Sequence, residues 1–142
     1  MENERYLPLK YFVCALAKIN LGIPAEQTER IIQVTRSQDQ AYENENGAVF
    51  ISLPAMFKQK DPAPHGIVLK PSVWKSFPDK KFEKATLLTP KIDSELEIPE
   101  EEIHSLPRVM SGMYGHFRGA YCTGQTVILI LAPEKLMGVC GD

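Results

Sequence analysis

The chain of 142 residues has no long apolar run. Runs such as Val127 to Ala132 are strand-sized and far short of the roughly 18 residues that cross a bilayer as a helix. The first ten residues, MENERYLPLK, are charged and lack the apolar stretch of a secretory signal, so a cytoplasmic location without direct membrane insertion is expected. Cysteine is scarce. Cys14, Cys122 and Cys140 are odd in number, widely spaced and contain no Cys-x-x-Cys pair, which excludes a disulfide framework or a zinc ribbon and predicts reduced thiols. A basic excess is missing too: 16 Lys and Arg stand against 18 Asp and Glu. A protein that neutralises phosphates carries such an excess, so no nucleic-acid partner is expected.

Catalytic signatures are absent. There is no Gly-x-Ser-x-Gly elbow, Walker loop, Gly-x-Gly-x-x-Gly or His-Glu-x-x-His. Glu100, Glu101, Glu102 and His104 form the densest titratable cluster, with His65 and His116 as conceivable partners around a metal. The acids follow Pro99 at a turn, however, and read most simply as a solvated group, so no metal or other cofactor is expected. Cys122 near His116 reads as a small strand residue rather than a nucleophile. Gly112, Gly115 and Gly119 lead into a strand and not a helix, which removes the geometry of a phosphate-binding loop. Trp74, Phe77 and Phe82 interleave with Lys75, Lys80, Lys81 and Lys84, but Asp79 and Glu83 break up that basic patch.

What is present is a composition 44% hydrophobic and 24% charged, enough for one domain, residues 1–142, with its own core. Eleven prolines and nine glycines punctuate it into short segments. Strands are expected at Lys10 to Leu16, Leu21 to Ile23, Ala48 to Leu53, Gly66 to Lys70, Ala85 to Thr89 and Ile92 to Ile98. A closing hairpin is expected from Phe117 to Cys122 and Gln125 to Leu131 around Thr123-Gly124. Pro24 to Ile32 predicts a short helix, because proline suits a first turn and Thr28, Ile31 and Ile32 fall at i, i+3 and i+4. A second helix starts at Pro133. Ser37 to Gly47 and Lys58 to Pro64 read as loops, and Pro71 to Lys84 has no clear assignment. About eight strands with two or three short helices define an all-β barrel or sandwich.

Three stretches carry a family resemblance. LGIPAEQTERIIQV (21–34), KATLLTPKIDSELEIPEEEIHSLP (84–107) and FRGAYCTGQTVILILAPEKL (117–136) resemble, in order and spacing, segments of CheW-like chemotaxis coupling proteins. The likeness runs from Tyr11 to Leu136. It implies two small five-stranded barrels packed around a shared apolar core. It also implies a non-enzymatic adaptor that joins the cytoplasmic tips of chemoreceptors to the regulatory domain of a chemotaxis histidine kinase. The family's central Asn-Leu-Arg-Gly turn corresponds here to Asn44-Glu45-Asn46-Gly47. Asn46 replaces the basic residue, Ile51 a proline and Pro54 an acid. Thr28 stands where the family has an aliphatic.

The partner-binding residues expected on this basis are Thr28, Arg30 and Ile31 from the early helix and Arg36, Asn44, Asn46, Gly47 and Phe50 around the central turn. Arg30 and Arg36 would act as rim charges. The alternative is a divergent β-barrel binding module with an unrelated protein or small-molecule partner.

Overall fold

The computed structural model describes residues 9–16, 19–75, 83–106 and 116–139. The chain starts with an antiparallel hairpin, β1 (Leu9–Leu16) and β2 (Ile19–Pro24), in which Leu16 lies opposite Ile19. It then crosses to a second sheet through β3 (Thr28–Gln33), β4 (Tyr42–Glu45), β5 (Ala48–Ser52), β6 (His65–Leu69) and β7 (Lys84–Thr89). It returns as β8 (Ile92–Ile98), which pairs with β1, and ends in the hairpin β9 (Phe117–Thr123) and β10 (Thr126–Leu131). Strand β10 lies parallel to β2, so the first sheet is assembled from both ends of the chain. The strand orders are β8-β1-β2-β10-β9 and β3-β6-β7-β5-β4.

Alternation along the strands makes the cores. Cys14, Leu16, Leu21 and Ile23 of the first sheet meet Val49, Ile51, Ile67, Leu69, Ala85 and Leu87 of the second in one shared apolar cluster. Trp74 and Leu136 close it from the segments that follow β6 and β10. The opposite face of the first sheet buries Tyr11, Val13, Ile98, Ile128 and Ile130 as a separate cluster. Gly22 sits on that face because a Cβ there would lie 2.9 Å from Ile130 Cδ1. The second sheet also buries both faces: Val68, Thr86 and Leu88 alternate with the residues of the shared core. Apolar strands with both faces covered read as continuous hydrophobic runs, which is why Ala85 to Thr89 was legible as a strand.

The expectation of two barrels needs correction: these are two packed sheets without continuous closure. In the first, β8 and β9 are edges, and among the described residues the segment after β8 links them, where His104 and Ala120 exchange backbone hydrogen bonds of 2.8 Å in each direction. There are ten strands among the described residues, not eight.

The early helix is also overturned. Ala25–Gln27 forms a single 3-10 turn, and Thr28–Gln33 is a strand. Two β-branched isoleucines and a threonine gain more from pairing with β6 than from a two-turn helix, which is marginal in isolation. Thr28, Ile31 and Ile32 therefore do not share a helical face. Strand β4 lies inside the expected loop of Ser37 to Gly47. Pro54 does not merely stop a strand; it sits in the first turn of the short helix α1 (Leu53–Met56), capped by Ser52 Oγ, which accepts from the Ala55 amide at 3.2 Å. The final helix, α2 (Pro133–Val139), starts where expected. The last hairpin turns at Gly124, where φ is 59°, with Gln125 as the second turn residue. Residues 17–18, the segment 76–82 with Phe77 and Phe82, the glycines Gly112 and Gly115, and Cys140 lie outside the described residues.

Candidate functional site

The structure separates the eight expected partner-binding residues into three places. Thr28, Arg30 and Ile31 lie on β3, one edge of the second sheet. Thr28 is half-buried and its hydroxyl donates to the Pro24 carbonyl at 3.1 Å. Arg30 is exposed, and Ile31 is 42% exposed, one of two large apolar side chains so placed among the described residues.

Asn44, Asn46 and Gly47 form the turn of the β4–β5 hairpin at the other edge. Both central turn residues have positive φ, 54° at Asn46 and 90° at Gly47. Asn and Gly are the residues that tolerate that conformation, and the resulting twist matches the flanking strands. Asn44 Oδ1 accepts the Gly47 amide at 2.9 Å. The exchange of a basic residue for Asn46 is thus explained locally by backbone geometry. These three residues build the turn.

Arg36 and Phe50 form the third place. Glu43 lies directly opposite Phe50, and Glu45 lies two residues along, so all three share a face. Arg36 comes from the chain just beyond β3 and settles on that face. Its guanidinium carbon lies 4.2 Å from the Phe50 ring centroid. Its nitrogens reach Glu43 at 2.8 Å and Glu45 at 3.0 Å. Gln38 reinforces the arrangement by donating to the Phe50 and Gln40 carbonyls at 2.9 Å. The two edges of the second sheet are therefore tied by side chains. The Arg36 side chain is only 17% exposed, and its charge is paired with Glu43 and Glu45.

Two concave features accompany these residues. A groove of about 300 Å³ opens where the edges of the two sheets meet, lined by Ala41, Tyr42, Ala55, Met56, Phe57, Lys58, His116 and Phe117. The Phe57 and Phe117 rings lie 6.0 Å apart across it. Burial, helped by nearby Lys135, pushes the His116 imidazole below its ordinary pKa of 6.5. A larger and more polar cleft of about 680 Å³ lies between residues 34–39 and 59–64. Sequence reasoning missed both features, because each joins segments remote in the chain. Tyr42 falls in the expected loop of Ser37 to Gly47, and Phe57 in a stretch with no assignment.

Elsewhere, Tyr11 is buried and its hydroxyl pKa is raised chiefly by that burial, while Arg118 opposes the rise. Arg118 donates to the Tyr11 hydroxyl at 3.4 Å and is ion-paired with Glu100. Among the described residues, no three His, Cys, Asp or Glu side chains converge, and no helix is long and apolar enough to cross a membrane.

The architecture is two mixed five-stranded sheets packed on a common core, with an apolar groove between their edges. Among solved structures, the scaffolding protein TtCheW from Thermoanaerobacter tengcongensis matches this chain with a TM-score of 0.66 and 17% sequence identity, over 87% of this chain and 84% of that one. The likeness is one of fold. No protein-family model matches the chain, and no curated protein matches its sequence.

Proposed function

We propose that this chain, residues 1–142 as a single CheW-like domain, is a non-enzymatic cytoplasmic adaptor of bacterial chemotaxis. It would couple chemoreceptor tips to the regulatory domain of a chemotaxis histidine kinase. The observation that carries the reading is the agreement of fold with a scaffolding protein over most of both chains. The order of the three resembling sequence stretches supports it. An adaptor works by presenting surfaces that partners cover, and a stable one needs roughly 1,200–2,000 Å² buried in total around a few apolar anchors. The exposed Ile31 strip and the groove of Tyr42, Met56, Phe57 and Phe117 offer such anchors.

A pull-down against a chemotaxis kinase regulatory domain tests the reading, with isothermal titration for affinity. Saturable binding at tens of micromolar or tighter is the expected result, and absence of binding there counts against it. Receptor coupling is tested separately with a receptor cytoplasmic fragment, because the central turn departs from the family pattern at Asn46, Ile51 and Pro54. The polar cleft between residues 34–39 and 59–64 favours a second reading, a β-rich module that holds an unrelated small molecule or protein. Failure with the kinase together with ligand-induced stabilisation would select it.

A further inference from the structure

The four sheet edges are not equivalent. Strand β8 lines its edge with Asp93, Glu95 and Glu97, and β4 carries Glu43 and Glu45. Strand β9 is tied to His104. Charged side chains and covering segments of this kind keep edges from pairing with other chains. Strand β3 has the sequence Thr-Glu-Arg-Ile-Ile-Gln, with one acid, one base and an exposed isoleucine. A bulge between Thr28 and Arg30 protects only its start.

The direction of its backbone groups follows from one hydrogen bond. The Val34 amide donates inward to the Pro64 carbonyl at 2.8 Å, and Ile32 lies opposite Gly66 in the same register. In an antiparallel ladder the residues that bond one neighbour alternate with those that face away. Ile32 and Val34 therefore face β6, and the amides and carbonyls of Ile31 and Gln33 face outward. No described residue pairs with them.

We propose that β3 is a self-pairing edge and that two copies of this chain associate through it, antiparallel, about a two-fold axis at Ile31. Three registers satisfy the outward groups. Placing Glu29 opposite Ile31 of the other copy sets Arg30 against Arg30, which repels. Placing Ile31 opposite Gln33 leaves Glu29 unmatched. Placing Ile31 on its own counterpart gives two reciprocal backbone hydrogen bonds at the axis, sets Glu29 against Gln33, sets Arg30 against Ile32 and opposes no like charges. An isologous contact of this kind closes at a dimer. The contact is small, so its Kd falls on the order of 0.1 mM. The inference does not depend on the adaptor reading, but it has a consequence for it: a partner docking on Ile31 competes with the second copy.

Sedimentation of the purified chain, with no partner present, tests this. A monomer–dimer equilibrium is expected at about 0.5 mM, and Ile31→Lys weakens it at least ~10-fold without lowering the melting temperature. The axis is tested by cross-linking in a Cys122→Ser, Cys140→Ser background. Directly opposed Cα atoms about 5.5 Å apart suit a disulfide. Ile31→Cys is therefore expected to form a covalent dimer under mild oxidation, and Arg30→Cys and Val127→Cys are not, although Val127 is 49% exposed. A monomer at about 0.5 mM, growth beyond a dimer, or cross-linking through Arg30→Cys in place of Ile31→Cys would overturn the proposal.

Discussion

Arg36 holds its guanidinium 4.2 Å above the centre of the Phe50 ring while gripping Glu43 and Glu45 with separate nitrogens. The planar cation is sandwiched between an aromatic face and two carboxylates, and it links the segment after β3 to β4 at the far edge of the same sheet. A partly desolvated cation–π contact is worth about 1–2 kcal/mol. Arg36→Ala is expected to destabilise the fold by about 2 kcal/mol, and Arg36→Lys to recover less than half of that, because an ammonium does not stack or fork. Urea unfolding of the two variants checks this. A double-mutant cycle with Phe50→Leu should show a coupling of about 0.5–1 kcal/mol.

This cluster also shows where sequence reasoning stops. Asn46-Gly47 between Tyr-Glu-Asn-Glu and Ala-Val-Phe-Ile is a strong hairpin signal, and weighting it would have turned the expected loop into β4. From the hairpin, Glu43, Glu45 and Phe50 follow as one face. That Arg36 completes the face does not follow, since a non-local contact leaves no local pattern. The early helix failed for a related reason. The i, i+3, i+4 spacing of Thr28, Ile31 and Ile32 fits a helix and a strand about equally over so short a run, and β6 decided between them. Ile92 to Ile98 and the last hairpin were legible because alternation and β-branching persist through them.

Gly119 offers a test of how the first sheet is held at its edges. A Cβ there would lie 2.5 Å from the His104 carbonyl oxygen, a backbone atom that can move only by breaking the His104–Ala120 bridge. Gly119→Ala is expected to cost about 2–3 kcal/mol and lower the melting temperature by roughly 10 °C. Gly22→Ala meets side-chain methyls, Ile130 Cδ1 at 2.9 Å and Ile128 Cγ2 at 3.2 Å, in place of a backbone atom, so its cost should be nearer 1 kcal/mol. Equal losses in the two variants by calorimetry would show that the bridge contributes nothing.

Cys14 gives the chain an alkaline sensitivity. Burial raises its thiol from the ordinary 9.0 to about 11, against a smaller lowering by a hydrogen bond with Thr89. The folded state keeps the proton through a range in which the unfolded chain loses it. The Cys14 contribution to stability is therefore flat below pH 9 and falls as pH rises from 9 towards 11. The raised Tyr11 hydroxyl acts in the same sense, so the comparison must be with Cys14→Ala, whose decline should be shallower. Alkylation at pH 8 is expected to modify the exposed Cys122 and spare the buried Cys14 until denaturant is added. Rapid modification of Cys14 in the folded chain would contradict its burial.

Ile51 and Ile31 are both isoleucines on strands of the second sheet, and either could have been an anchor for a partner. The fold assigns them opposite roles. Ile51 is fully buried in the shared core, opposite Tyr42 on β4 and Leu87 on β7. Ile31 stands on the free edge. A carboxylate at position 51 loses its hydration without gaining a partner, a cost of several kcal/mol against a total stability of about 5–15 kcal/mol. Ile51→Asp is therefore expected to abolish the cooperative thermal transition seen by circular dichroism. Ile31→Asp changes an exposed side chain and should shift stability by no more than about 0.5 kcal/mol. If β3 carries an adaptor surface, that variant folds normally yet loses capture by a kinase regulatory domain. Full capture by folded Ile31→Asp would move the docking surface off β3 and leave the groove of Tyr42, Phe57 and Phe117 to be tested by Phe57→Ala.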